Sequence, residues 1–146
     1  MPVKIKIDST DDKRITDLKT CKNISDVFYA KDLDQHLNVC EYWGWDIEAA
    51  LYTEVYYQNT GKRLPFYLAA ITKETENSIP HPRVAVIQIT DAMITSGMKF
   101  IESNIRKIQQ IKTGEIEPIP CQVCSWCADN LPLTEVISSD ELLLDV

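Results

Sequence analysis

The chain has 146 residues, of which 45% are hydrophobic and 25% charged, and its formal net charge is −7. This length and composition predict one globular domain. No stretch approaches the roughly 18 apolar residues of a membrane span, and no signal-peptide pattern is present. We therefore expect a cytoplasmic protein without a membrane partner. Negative charge disfavours nucleic-acid binding, but seven of the 22 acidic and none of the 15 basic residues lie within 113–146, so the remaining chain is neutral.

Residues 3–20 are predicted to form two short strands joined by a polar turn. Apolar and charged residues alternate from Val3 to Asp8, and in the second strand Asp17 and Lys19 share a face. Two carboxylates beside a lysine can hold a hard divalent cation and stabilise charge on a phosphate. The same three charges are also compatible with an ordinary solvated strand face.

Residues 21–59 are predicted to contain two helices. Spacing of Phe28, Leu33 and Leu37 weakly favours a loop and a short helix over 21–43. From Trp43 to Asn59 the helical pattern is strong, with an apolar stripe expected to pack on a sheet and a stop at Thr60-Gly61.

Two strands and a long helix are predicted next. The strands cover Phe66–Thr72 and Arg83–Thr90, and the apolar run of the second predicts a central position buried on both faces. A helix begins at Thr90 or Asp91 and reaches about Lys112, before Gly114. Its charged face carries Lys99, Arg106 and Lys107, which are either simply solvated or in contact with a DNA backbone.

Three cysteines follow in a C-x2-C-x2-C pattern at Cys121, Cys124 and Cys127. Thiolates at this spacing can turn toward one zinc or iron ion, although a closed site needs a fourth ligand. The candidates for that ligand are Cys21, Cys40, His36 and His81. Three unligated cysteines are the alternative.

The spacing from Asp8 to Asp17-Leu18-Lys19-Thr20 resembles the D…(D/E)xK signature of the PD-(D/E)XK nuclease superfamily, in the form found in phage-type and RecB-like exonucleases. The segment 42–52 is similar to the "gY-xx-QaalY" helix that follows this strand in those exonucleases, and Glu48 stands where the family usually has glutamine. A related C-terminal cysteine cluster also occurs in the phage-type enzymes. The resemblance covers roughly residues 3–130.

This resemblance implies an α/β, restriction-endonuclease-like fold, with a mixed central sheet flanked by helices and the order β-β-α-α-β-β-α. The nuclease core would span 1–112 without the family's usual N-terminal region, and a Cys-rich acidic segment, 113–146, would pack on it. The cell compartment would be the cytoplasm of a bacterium or of a phage-infected host.

The resemblance also implies Mg²⁺-dependent or Mn²⁺-dependent hydrolysis of DNA phosphodiesters in phage recombination or repair. Asp8, Asp17 and the Leu18 carbonyl would bind the metal, Lys19 would position the attacking water, and Tyr52 with Glu48 would contact the strand or the site. Zn²⁺ or an iron–sulfur cluster would occupy the cysteines, and partners would be DNA together with a second copy or a recombination protein. The alternatives are a catalytically impaired remnant that binds DNA or a protein, and a thiolate-metal interaction module.

Overall fold

The computed structural model describes residues 2–73, 84–121, 125–130 and 138–139. The chain divides into two compact units, Met1–Gln109 and Gln110–Val146. Two predictions concern this division, namely the boundary at residue 112 and the packing of the C-terminal segment on the core, and both stay predictions.

A four-stranded mixed sheet organises the first unit. Its spatial order is β1 (Ser9–Thr10), β2 (Ile15–Cys21), β5 (Phe66–Thr72) and β6 (Val84–Ile89). The central pair β2 and β5 is parallel, and the outer pairs are antiparallel. The predicted α/β class with a mixed central sheet is therefore confirmed.

One face of this sheet packs against helix α2 (Trp45–Thr60). Side chains alternate along a strand, so every second residue of β2 and β5 points toward this helix. Ile15, Phe66 and Leu68 are almost completely buried there, and full burial of such a side chain stabilises the fold by about 1.5–3 kcal/mol. The helix ends at Gly61, whose positive φ of 71° agrees with the predicted stop.

The prediction of a loop and a short helix within 21–43 is wrong for most of that range. Residues 27–38 form a hairpin instead, in which β3 (Val27–Ala30) pairs antiparallel with β4 (Gln35–Asn38) around a 3₁₀ turn, Lys31–Leu33. The β-branched and aromatic residues of β3 favour a strand, and Asp34 adopts a left-handed φ of 49° that closes the turn. Helix α1 (Val39–Tyr42) follows directly.

The first predicted strand is also displaced. Residues 3–8 show the expected alternation of half-buried and exposed side chains, yet they form no strand, and β1 starts only at Ser9. At this point a side chain takes the place of a backbone hydrogen bond between the strands, because the Asp8 carboxylate accepts the backbone N–H of Leu18 at 2.9 Å. The hairpin that the sequence predicts is therefore reduced to two pairs, Ser9 with Thr16 and Thr10 with Ile15.

The central position predicted for the second apolar strand is wrong as well. Among the described strands, β6 lies at the edge of the sheet, next to β5. Its Ile89 is buried on the α2 side, whereas Val84 and Val86, on the opposite face, are 64% and 69% exposed. The apolar run therefore reflects one packed face and one open face that carries valines.

Helix α3 (Asp91–Lys112) begins at Thr90 and Asp91 as predicted, with its first turn capped by the Thr90 hydroxyl. It crosses α2 closely at Gly97, where a Cβ atom would lie 2.8 Å from the Asp46 carbonyl oxygen. The second unit contains the end of this helix, the turn at Gly114 and a short helix, α4 (Ser125–Asn130). Within the described ranges, no helix is both long enough and apolar enough to cross a membrane.

Candidate active site

Strand β2 carries the two charged residues nearest the centre of the site. Asp17 and Lys19 point to the same face of the sheet, toward α2, because they are two residues apart. The Asp17 side chain is only 5% exposed and that of Lys19 is 19% exposed, and Lys19 Nζ lies 2.7 Å from Asp17 Oδ2. The strand thus holds an ion pair that is largely shielded from water.

Helix α2 supplies the opposite wall. Lys19 Nζ donates a hydrogen bond to Glu48 Oε2 at 2.6 Å, so one ammonium group joins the strand to the helix. Tyr52, one helical turn beyond Glu48, packs its ring in a T-shaped contact against Phe66, and burial together with the negative charge of Glu48 raises the pKa of Tyr52. The Lys19 ammonium group therefore ties Glu48 to strand β2.

Asp8 lies at the free edge of β2, just before β1. Its carboxylate accepts the Leu18 N–H at 2.9 Å. The N–H and C=O of one strand residue point to the same side, so the Leu18 carbonyl faces the edge on which Asp8 lies. The Asp8 carboxylate and the Leu18 carbonyl oxygen therefore share one edge of β2, one residue along the strand from Asp17.

The electrostatics of this cluster are unbalanced. Burial raises the pKa of Asp17, and the negative charges of Glu48 and Asp8 add to the effect, although Lys19 opposes it. Burial alone would lower the pKa of Lys19, but its close contacts with the Asp17 and Glu48 carboxylates outweigh it and raise that pKa. The N–H of Leu18 lowers the pKa of Asp8. Lys19 is thus ion-paired with two of the three acids.

Three acids and one lysine leave an excess of two negative charges, which is the charge that a divalent cation would balance. Within the described ranges, no group of three or more His, Cys, Asp or Glu side chains is arranged to hold a metal ion. The ammonium group of Lys19 stands between Asp17 and Glu48 and separates these two carboxylates. Asp8 is held by the Leu18 N–H and has no ion pair with that ammonium group among the described contacts.

The predicted site residues Asp8, Asp17, Lys19, Glu48 and Tyr52 all belong to this one cluster. Sequence reasoning missed one contributor, the backbone N–H of Leu18, which donates a hydrogen bond to the Asp8 carboxylate at 2.9 Å. No side-chain pattern could reveal a backbone donor. The functional roles predicted for these residues stay predictions.

The predicted cysteine site lies in the second unit and is only partly described. Cys121 and Cys127 approach each other, with their Sγ atoms 3.6 Å apart, and Cys127 is buried. Cys124 lies outside the described residues, as does His81. Of the other candidate ligands, Cys21 and Cys40 are buried in the core of the first unit, and His36 lies on β4 against the Tyr29 ring.

Comparisons with known proteins agree with this geometry. Residues 1–130 match the family described as "PDDEXK-like domain of unknown function (DUF3799)". A crystal structure titled as a "Putative exonuclease" from Eubacterium rectale has a TM-score of 0.79 and 37% identity to this chain. The match covers 97% of this chain and 52% of the other, so this chain spans about half the length of that relative. No curated protein matches significantly.

The family match extends over most of the chain and includes every residue of the Asp17–Lys19–Glu48 cluster. The resemblance to the PD-(D/E)XK superfamily that the D…DxK spacing indicated is thereby confirmed. The chain belongs to the family of PDDEXK-like domains of unknown function, DUF3799.

Proposed function

We propose that this domain takes part in metal-dependent hydrolysis of DNA phosphodiester bonds, as an exonuclease of the phage recombination or repair type. The observation that carries the proposal is the contact of Lys19 Nζ with both Asp17 and Glu48, at 2.7 and 2.6 Å, beside Asp8 at the edge of β2. Membership of a PDDEXK-like family and the description of the Eubacterium rectale relative as an exonuclease support the same reaction class.

The donor set suits Mg²⁺ or Mn²⁺. Asp17 Oδ2 is buried and, in the described part of the chain, its contact with Lys19 is an ion pair without hydrogen-bond geometry. Carboxylate and carbonyl oxygens are the ligands that these hard cations prefer, and Asp8, Asp17 and the Leu18 carbonyl would hold the ion. When bound, the ion would neutralise phosphate charge and lower the pKa of water.

Lys19 is the residue placed to act on the reacting groups. Its raised pKa keeps it protonated at neutral pH, so it cannot accept a proton there. It can orient the attacking water through its N–H donors and stabilise negative charge that develops on the phosphate. Glu48 and Tyr52 are positioning residues in this proposal, because Glu48 accepts a hydrogen bond from the ammonium group and Tyr52 lies one helical turn from Glu48 on the same face of α2.

Release of nucleotides from linear DNA tests the proposal. Wild-type protein is expected to release them with Mg²⁺ or Mn²⁺ and to stop when EDTA is added. Asp17→Asn should lower the rate by about 100-fold or more, which is typical for loss of one group that stabilises transition-state charge. Asp12→Asn, an exposed acid of the nearby turn, is the matched control and should leave the rate unchanged.

Equal release by the wild type and Asp17→Asn would mean a contaminating nuclease and would reject the proposal. Salt-sensitive DNA binding without metal-dependent release would instead support the impaired remnant, in which the site binds DNA and does not cleave it. The slope of affinity against salt concentration measures that binding directly.

A second candidate function, the thiolate-metal module, is favoured by the cysteine geometry of the second unit. Two sulfurs that each lie about 2.3 Å from a tetrahedral zinc are about 3.8 Å apart, and the Sγ atoms of Cys121 and Cys127 are 3.6 Å apart. Cys124 would be a third ligand of Zn²⁺ or of an iron–sulfur cluster. Elemental analysis after anaerobic, reducing purification should find zinc or iron in the wild type and less in Cys127→Ser; absence of both metals would reject this module.

A further inference from the structure

A pocket of about 420 Å³ lies at the C-terminal end of β2 and has no part in the site described above. Its lining combines aromatic rings with two lysines; the residues used below are Cys21, Lys22, Phe28, Trp43, Trp45 and Lys73. This combination has the two properties of a nucleotide site, namely flat apolar surfaces and positive charge.

The pocket adjoins the Asp17–Lys19–Glu48 cluster along two elements. On β2, Cys21 points to the same face as Lys19 and is two residues farther, which is about 7 Å along a strand. On α2, Trp45 precedes Glu48 by three residues, which is less than one helical turn. The strand and the helix that hold the charged cluster therefore also form two walls of the pocket.

Trp43 is the most exposed aromatic side chain of the lining, at 59%. Its ring stands nearly perpendicular to the rings of Phe28 and Tyr42, at centroid distances of 6.4 and 5.2 Å, and more than half of the side chain stays exposed. Its backbone N–H donates to the Val39 carbonyl at 3.3 Å, which ties Trp43 to helix α1. Tyr42 beside it is 46% exposed, and adjoining exposed aromatic side chains are typical of a ligand-binding surface.

The charges of the pocket are opposite in sign to those of the chain. Among the described residues, Lys22 and Lys73 line it together with one acid, Asp26, whereas the whole chain carries a net charge of −7. The backbone N–H of Lys73 donates to the Cys21 carbonyl at 2.8 Å, and this bond fixes Lys73 next to the floor of the pocket. A phosphate group would therefore meet a local excess of positive charge.

We propose that this pocket binds one unpaired nucleotide of a DNA strand, with its base stacked on Trp43 and its phosphate near Lys22 and Lys73. Under the proposed nuclease function, on which the choice of DNA rests, this nucleotide is the neighbour of the phosphodiester bond at Lys19. The substrate would then be a strand end with at least one unpaired base.

Binding is measured without cleavage, in EDTA and at low salt, from the fluorescence anisotropy of a fluorescein-labelled oligothymidylate of about eight nucleotides. Trp43→Ala should weaken binding by about 5-fold to 150-fold, the range for loss of one stacked base, and Trp43→Phe should restore most of it. Tyr29→Ala is the control, because Tyr29 is 53% exposed on the β3–β4 hairpin but does not line the pocket. Lys73→Ala should lower the salt slope by about 0.7.

The outcomes separate this proposal from the nuclease function. Cleavage by the wild type together with unchanged binding by Trp43→Ala would reject the pocket and leave the nuclease standing. Weaker binding by Trp43→Ala without any cleavage would support the pocket and reject the nuclease. If circular dichroism shows that Trp43→Ala is unfolded, Lys73→Ala decides, and an unchanged salt slope rejects the pocket.

A competition arm distinguishes a strand end from a free product. Thymidine monophosphate offers the same base and phosphate, so it should displace the oligonucleotide, but only at a much higher concentration. Equal affinity for both would assign the pocket to the released nucleotide and overturn the strand-end proposal.

Discussion

Replacement of Lys19 by methionine should destabilise the fold through the acid that it leaves behind. The Asp17 side chain is 5% exposed, and Lys19 Nζ is its ion-pair partner at 2.7 Å. Removing one partner of a buried pair costs about 3–5 kcal/mol, because the remaining charge is desolvated and uncompensated. Lys19 is 19% exposed and water can partly replace it, so we expect the lower end, about 3 kcal/mol, which is about 10 °C in Tm for a chain of this size.

The expected loss of stability depends on pH, and the direction of this dependence follows from the pKa of Asp17. The folded-state pKa of Asp17 is raised above the ordinary 3.8, so its ionisation disfavours the folded state at neutral pH. This penalty is full above the folded-state pKa and disappears as pH falls toward 3.8. Without Lys19 the pKa of Asp17 rises further. The loss of stability caused by Lys19→Met should therefore become smaller as the pH is lowered from 7.5 to 4.5. Urea unfolding at several pH values measures it.

The Asp17→Asn background tests the cause directly. With no charge on residue 17, Lys19→Met should cost about 1 kcal/mol or less, so the double-mutant cycle should show a coupling of about 2 kcal/mol. Lys62→Met, on an exposed loop, controls for the loss of a surface lysine and should change stability by less than about 0.5 kcal/mol. An equal cost of Lys19→Met in both backgrounds, or at all pH values, would refute the reasoning.

Gly97→Ala should destabilise the fold by about 1–2 kcal/mol in urea unfolding, because the added Cβ would lie 2.8 Å from the Asp46 carbonyl oxygen and this overpacking exceeds the gain in helix propensity. Ser96→Ala, at an exposed position of the same helix, is the control, and equal stability of the two variants would contradict this prediction. Asn38→Ala should cost about 1 kcal/mol by removing the capping box of α1, and no loss in thermal unfolding would count against it. Asp17→Asn alone should stabilise the metal-free protein at pH 7 by about 0.5–2 kcal/mol and have little effect near pH 4, whereas destabilisation at pH 7 would contradict the raised pKa.

The sequence correctly predicted those helices in which the signals for the ends and the periodicity of the apolar residues indicate the same boundaries. Helix α2 has an aromatic stripe and a glycine stop, and α3 has a threonine cap, so local signals and tertiary packing favour the same boundaries. The strand with Asp17 and Lys19 was predictable for a similar reason, because alternation alone places both side chains on one face. Alternation also grouped Asp8 with these two residues, and the family resemblance then added Glu48 and Tyr52, which periodicity could not connect to that strand.

The errors occurred where backbone conformation and strand pairing, and not the periodicity of the side chains, decide the structure. The hairpin of β3 and β4 depends on a left-handed residue at Asp34, and its apolar spacing imitates a weak helix. The edge position of β6 depends on which strands pair, and an apolar run does not contain that information. The pocket beside Trp43 was missed because Cys21, Trp43 and Lys73 come from separate segments that meet only in the fold.

Asp17 connects the stability of this fold with its proposed chemistry. A buried carboxylate with two acidic neighbours is unfavourable in the metal-free protein, as its raised pKa indicates, and a structural role alone would favour an amide at this position. A bound divalent cation would make the ionised Asp17 carboxylate favourable in the folded state, because its positive charge would compensate the negative charges of the three acids. Mg²⁺ should therefore raise the Tm of the wild type more than that of Asp17→Asn, and an equal rise in both would mean that the cation binds elsewhere.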